Sequence, residues 1–413
     1  MPDFLCPNFY DVYDMTTMVT WRDRTNKDRS AALCTSALLP RPPARIEVAD
    51  DTLSADMAYR KACAGTALLW QADFQNARQL LAALTRRIEA GREKRSMSRP
   101  KKQKAAAERA AAQAAGADTS LPDPAEFHAY RQAQAARARI LSMIWIPLTD
   151  DYTIDLRRAP EVQDALRQAF GEIRGEKVVS LRELLGAVGA AQWRERGVPV
   201  PLLGADALVH PYYGVFSPVR GEYLELVAKA PLAGPALAWD IGTGTGVLAA
   251  ILAMRGVDQI VGTENSDVAI ACAKENMARL KLSEKVRIVD ADMFPPGKAD
   301  LIVCNPPWLP ARPTSVIEHA IYDPDSKMLR AFLNGLRERL NPGGEGWLIM
   351  SDLAVLLGLR SPEQLSVWIA QAGLVVAGRA DKRPTHDKPT RVDDALHHAR
   401  IAEVTTLWRL RSA

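Results

Sequence analysis

Cysteine is scarce in this 413-residue chain, and its five copies, Cys6, Cys34, Cys63, Cys272 and Cys304, are scattered without paired spacing. That argues against a disulfide framework or a cysteine zinc site and for a reducing compartment, the cytoplasm. No stretch is long and apolar enough to cross a bilayer, so no membrane partner is expected. Met1-Pro-Asp-Phe-Leu-Cys6 lacks a basic patch followed by an apolar run, so no signal peptide is expected. His386, His397 and His398 stand near Asp393 and Asp394, but no ligand spacing such as H-x-x-x-H links them. No metal is expected there. The net charge of +4 is mild, which permits an anionic partner without requiring one.

A hydrophobic content of 47% and this length fit a soluble protein of two or three domains. Residues 1–55 show no sustained periodicity and contain Pro40-Arg-Pro42-Pro43, so they read as a poorly ordered arm. Residues 56–200 read as a mostly helical accessory domain. Trp70, Phe74, Ala77, Leu81, Leu84 and Ile88 recur at spacings of three or four, the pattern of one amphipathic face. Asp123-Pro124-Ala-Glu126 and Ser180-Leu-Arg-Glu183 have the form of helix starts. Between them, residues 91–117 carry Arg92, Lys94, Arg95, Arg99, Lys101, Lys102 and Lys104 and run into alanine. Such a tract could follow a phosphate backbone or be a solvated linker. Pro199 and Pro201 mark the boundary to residues 201–413.

The informative chemistry begins at Leu237-Ala-Trp-Asp240-Ile-Gly242-Thr243-Gly244-Thr-Gly246, followed by an apolar run with helical spacing from Val247. The pattern is strand, tight loop, helix. Glycines let the backbone approach a ligand, and the new helix offers free N–H groups and the positive end of its dipole. A dinucleotide-binding loop is built similarly, but these glycines are spaced G-x-G-x-G rather than G-x-G-x-x-G. Asp240 would repel a pyrophosphate and suits the amino group of a methionine moiety. The next apolar strand ends in Glu264, able to accept both ribose hydroxyls. The third strand leads to Asp290-Ala-Asp292-Met293, where Asp292, or Asp290 in its place, could accept from an adenine amino group under the cover of Met293. A fourth, Asp300-Leu-Ile-Val-Cys304, delivers Asn305-Pro306-Pro307-Trp308.

With these two turns at matching strand ends, the chain from about Val209 onward resembles class I S-adenosylmethionine-dependent methyltransferases of the Asn-Pro-Pro-aromatic branch. That branch holds release-factor glutamine, adenine-N6 and small-domain guanine-N2 methyltransferases. The resemblance implies a doubly wound Rossmann-like α/β sheet with its last strand antiparallel, and S-adenosyl-L-methionine as cofactor. It assigns catalysis to the motif Asn305, Pro306, Pro307 and Trp308: the Asn305 side-chain oxygen and Pro306 carbonyl accept two substrate N–H groups, and Trp308 stacks on a planar substrate. The family more usually has Tyr or Phe at the fourth position. Cofactor contacts fall to Asp240, Gly242, Thr243, Gly244, Gly246, Glu264, Asp292, Met293 and Asn305. Phe216 and Pro218, in the turn Gly214-Val-Phe216-Ser-Pro218, look like the wall that closes over the cofactor methionine, with Arg220 or Glu222 steadying it.

Beyond Trp308 the pattern continues with a helix over 325–340, a strand at 346–350, and two last strands at 374–379 and 404–410. The connection 381–399 reads as a substrate-facing flap or a solvated loop. The expected activity is methyl transfer to a planar amino or amide nitrogen. An RNA base is the first choice of substrate, because the basic segments offer phosphate contacts. A protein glutamine is second and a small metabolite third. A non-catalytic binding module and a nicotinamide dehydrogenase are the readings from other classes.

Overall fold

The computed structural model describes residues 17–35, 43–97, 123–384 and 396–413. Two compact units divide at Ala191 and Gln192, with Asp123–His128 grouped with the second. Most of the basic tract 91–117, including Arg99, Lys101, Lys102 and Lys104, lies outside the described residues, as do His386, Asp393, Asp394 and residues 1–16.

The first unit corrects one expectation and adds a sheet to another. Residues 17–55 do not form a loose arm: β1 (Met18–Arg22), β2 (Asp28–Cys34) and β3 (Arg45–Ala49) lie there. The segment after them is helical in most of its described residues, as expected, but it is not built of helices alone. The helices α1 (Ala55–Cys63), α2 (Phe74–Met97) and α3 (Ala125–Leu141) alternate with β4 (Thr66–Trp70) and β5 (Ile144–Leu148). Then come α4 (Gln163–Phe170), β6 (Lys177–Ser180) and α5 (Leu181–Arg196). The six strands form one sheet in the order β1-β2-β6-β5-β4-β3. The physical reason is that its inner strands are buried on both faces. Thr66-Ala-Leu-Leu-Trp70 is buried at every position, so it shows no alternation and cannot be told from a helix by period. Trp70 therefore ends a strand, and Phe74 opens the following helix. Both are buried, and the Trp70 indole Nε1 donates to the Asp73 carbonyl at 2.9 Å. The helix start at Ser180 has the expected side-chain cap, with Glu183 N donating to Ser180 Oγ at 3.1 Å.

The second unit contains a short ribbon of β7 (Val198–Pro199) and β8 (Leu208–Val209), followed by α6 (Glu222–Lys229). The main run is β9 (Leu237–Ile241), α7 (Val247–Met254), β10 (Gln259–Glu264), α8 (Asp267–Arg279), β11 (Val286–Asp290) and β12 (Ala299–Cys304). It continues through α9 (Lys327–Arg339), β13 (Leu340–Ser351), α10 (Leu353–Leu356), α11 (Gln364–Gln371), β14 (Leu374–Lys382), α12 (His397–Ala402) and β15 (Thr405–Ser412). The seven-stranded sheet has the order β11-β10-β9-β12-β13-β15-β14, with β15 antiparallel to both neighbours and the pairs from β11 to β13 parallel.

Both faces of this sheet are covered, and adjacent residues of one strand serve opposite faces. Leu301 and Val303 of β12 pack with the fully buried stretch Val247–Ala253 of α7. Ile302 and Cys304 pack with Leu329, Phe332, Leu333 and Leu336 of α9. Burying side chains of this size stabilises by roughly 1.5–3 kcal/mol each, so the two helices fix the sheet from both sides. Strand order reverses between β9 and β12. The crevice beyond the carboxyl ends of those strands is where an open parallel sheet binds ligands.

Candidate active site

At the end of β9 the chain turns through three glycines with positive φ: Gly242 at 66°, Gly244 at 55° and Gly246 at 81°. Gly246 caps α7, and a Cβ on it would lie 2.7 Å from Met277 Cε. At Gly244 a Cβ would meet nothing within 4 Å. Open space lies over the middle of the loop, which is what a cradle for a ligand requires.

The loop is tied down from beneath. Asp240 is buried, and its Oδ2 accepts from Thr243 Oγ1 at 2.6 Å and Ala249 N at 3.1 Å. Its Oδ1 is buried without a hydrogen-bond partner. Burial raises this carboxyl to about 6 despite the two donors. A cationic amino group brought to Oδ1 would satisfy the orphaned atom and favour the ionised form. Thr243 is engaged by Asp240 through its hydroxyl, and its N–H donates to the Thr263 carbonyl at 2.9 Å.

Glu264 ends β10, half-buried, with Oε2 accepting from Gly244 N at 3.2 Å and Oε1 from Asn265 N at 3.0 Å. Burial raises its carboxyl too. A carboxylate has about four acceptor positions, so both oxygens keep capacity for hydroxyl donors. Met293 is half-buried with φ 73°, and its carbonyl accepts from Thr263 Oγ1 at 2.7 Å. Phe294 beside it stacks on Phe332, which anchors the turn. Asp292 is exposed, touched by Asn265 Nδ2 at 3.4 Å, and Asp290 is exposed as well.

Asn305 and Trp308 are half-buried and Pro306 is buried. The Trp308 indole Nε1 donates to Asn305 Oδ1 at 3.0 Å. The Arg220 guanidinium lies 5.2 Å from the centre of the Trp308 ring. Arg220 Nε donates to Glu222 Oε1 at 2.5 Å, and its Nη2 lies 3.2 Å from Glu403 Oε1 as an ion pair without hydrogen-bond geometry, both carboxylates being buried. Of the wall residues, Pro218 is buried and Phe216 half-buried, while Val215 packs on Ala269 and Cys272 of α8. Ser217 Oγ and Glu222 Oε2 join Asp240 Oδ1 as buried atoms without a partner.

Several of these supports are invisible in the sequence reading. Asn276 is fully buried on α8 and binds both the His210 backbone and the Thr245 carbonyl of the glycine loop. Its only signal is a polar residue on a face otherwise filled by Ala269, Ala273 and Met277. Glu403 and its donor Ser351 Oγ, 2.7 Å away, carry no local motif.

Comparison with known proteins gives these turns a context. A family model described as the methyltransferase small domain matches residues 226–355. A release factor glutamine methyltransferase of Shewanella oneidensis is 33% identical over 150 residues, 32% of this chain and 50% of the relative. A tRNA1(Val) (adenine(37)-N6)-methyltransferase of Bacteroides thetaiotaomicron is 34% identical over 141 residues, 31% of this chain and 58% of the relative. This chain thus spans about half the length of these curated relatives. Among solved structures, a ribosomal protein L11 methylase from Lactobacillus delbrueckii subsp. bulgaricus is similar over 46% of this chain and 76% of its own. Its sequence identity is 18% and its TM-score 0.32, too low to bear on function.

Proposed function

We propose that this chain uses the methyltransferase small domain at residues 226–355 to methylate a planar amino or amide nitrogen, first of all on an RNA base. One observation carries the reading. β9 and β12 are direct neighbours with Ile241 paired to Cys304, so the glycine loop and Asn305-Pro306-Pro307-Trp308 leave the sheet side by side. A cofactor on one turn and an acceptor on the other would meet at that point.

S-adenosyl-L-methionine, when bound, supplies a methyl group on a positively charged sulfur. The chain's own residues fit it: Asp240 Oδ1 toward the amino group, Glu264 toward ribose hydroxyls, Met293 and Asp292 beside the base, Phe216 and Pro218 as the wall. Asn305 Oδ1 has a second lone pair beyond the one taken by Trp308, and with the Pro306 carbonyl it accepts the two N–H groups of the substrate. Those acceptors aim the nitrogen lone pair and favour the positive charge that develops on it, so orientation does the work of a strong base. Trp308 offers an aromatic face to a planar group.

The release factor relative supports a second substrate, a protein glutamine, whose side-chain amide presents the same pair of N–H groups. The setting for either is the cytoplasm. Among the described residues no helix is long and apolar enough to cross a membrane. The deciding experiment is methyl transfer from tritiated S-adenosylmethionine into lysate of a deletion strain, with the label then split by ribonuclease and by protease. Label released as a modified nucleoside supports the RNA reading, and label lost only to protease transfers it to glutamine. Label in neither overturns both.

A further inference from the structure

Asn305 carries two chemically opposite ends on one torsion, and only the oxygen is useful to an amino substrate. That terminal torsion is broad and roughly two-fold, so a free asparagine would present its Nδ2 donor about as readily as its acceptor. In this chain the ambiguity is removed by Trp308. Indole Nε1–H is a donor only, so its 3.0 Å bond selects Oδ1. A phenyl ring at position 308 has no donor at all.

The Trp308 ring needs its own support, because it is half-buried and packs only partly on the core to either side of the sheet. Arg220 provides it, 5.2 Å from the ring centre. Arg220 is not a free arm. Its Nε meets Glu222 Oε1 at 2.5 Å and its Nη2 meets Glu403 Oε1 at 3.2 Å. Glu222 and Glu403 are 1% and 3% exposed, which leaves the guanidinium little freedom. Glu403 is fixed by Ser351 Oγ at 2.7 Å, and that oxygen accepts from Leu353 N at 3.0 Å.

We infer that Arg220 is a positioning residue: it sets the Trp308 indole, and through Nε1–H it sets which end of the Asn305 amide faces the substrate. The inference rests on the proposed methyl transfer for its purpose, but its geometry can be tested separately. Arg220→Lys keeps a positive charge between Glu222 and Glu403, so the fold is retained, while the planar group is withdrawn from the indole.

In the full-length ¹⁵N-labelled chain, the Trp308 indole N–H resonance is identified by its loss in Trp308→Phe. It should shift in Asn305→Ala and shift again in Arg220→Lys. With unfractionated tRNA as acceptor, Arg220→Lys should lower kcat roughly tenfold and leave the KM for S-adenosylmethionine unchanged. In a Trp308→Phe background the same change should have almost no further effect, the non-additivity of coupled neighbours. An Arg220 that merely neutralises buried carboxylates would be replaced by Lys without a shift in the resonance. That result, or losses that multiply independently in the double variant, overturns the inference. If the wild-type chain labels no tRNA, tRNA is excluded as the acceptor, and the resonance alone decides for or against Arg220.

Discussion

Asn276 Nδ2 donates to the Thr245 carbonyl across 3.1 Å, joining α8 to the glycine loop, while Asn276 Oδ1 accepts from His210 N at 2.8 Å. One buried side chain thus ties together the loop and the segment leading to Phe216. Asn276→Ala would leave the Thr245 carbonyl and the His210 N–H without this partner. The expected cost is about 2–4 kcal/mol of stability, read as a fall in the urea midpoint, together with weaker S-adenosylmethionine binding by calorimetry. An unchanged midpoint would show that the tether is dispensable.

Burial holds the Asp240 carboxyl at about 6, above its ordinary 3.8. Its folded form therefore binds a proton more tightly than the unfolded chain does. The stability it contributes is complete below about pH 4 and is lost as the pH rises through about 6. Asp240→Asn can keep an oxygen toward Thr243 and Ala249 and removes the charge. The variant should gain on the order of 2–3 kcal/mol over wild type at pH 7.5 and little at pH 4. It should also bind S-adenosylmethionine more weakly. Urea unfolding at the two pH values checks the first part, and an equal difference at both would refute it.

Gly244 and Gly246 should respond differently to alanine. At Gly244 the added Cβ meets no atom within 4 Å, so only backbone strain at φ 55° opposes it, roughly 1 kcal/mol. At Gly246 the Cβ also meets Met277 Cε at 2.7 Å. Gly244→Ala should leave a folded protein with clearly reduced cofactor affinity, whereas Gly246→Ala should lose more stability. Paired thermal melts and calorimetry distinguish them. Normal cofactor binding by Gly244→Ala would mean that the open space above the loop is not the binding cradle.

Asn305→Ala should leave S-adenosylmethionine affinity nearly unchanged and reduce turnover about 100-fold, the loss expected for one oriented acceptor in the transition state. Single-turnover transfer from tritiated cofactor measures it. Full activity in the variant would remove Asn305 from the chemistry.

The second unit was legible because its signals are local. A glycine loop, an acid closing a strand and Asn-Pro-Pro-Trp each occupy a few consecutive residues. The sheet of the first unit was hidden for a physical reason. Its inner strands β4, β5 and β6, such as Ile144-Trp-Ile-Pro-Leu148, are short runs beside helices, and burial on both faces erases the period of two. The supports of the candidate site escaped for another reason. Arg220 meets Glu403, and Asn276 meets His210, only once distant segments have packed. No spacing rule connects those positions. The place of Asp240 before the first glycine points to a ligand contact, whereas its burial beneath the loop, with one oxygen engaged by Thr243 and Ala249, emerges only from the three-dimensional packing.

The placement of β15 between β13 and β14 makes the order of synthesis differ from the order of assembly. β14 is made first, yet among the described strands its ladder partner is β15, and β13 shows an open edge on that side until β15 arrives. Until residues 405–412 pair, β13 and β14 each present an unpaired strand edge, the kind that recruits foreign strands. Pairing of β15 therefore closes both of those edges at once.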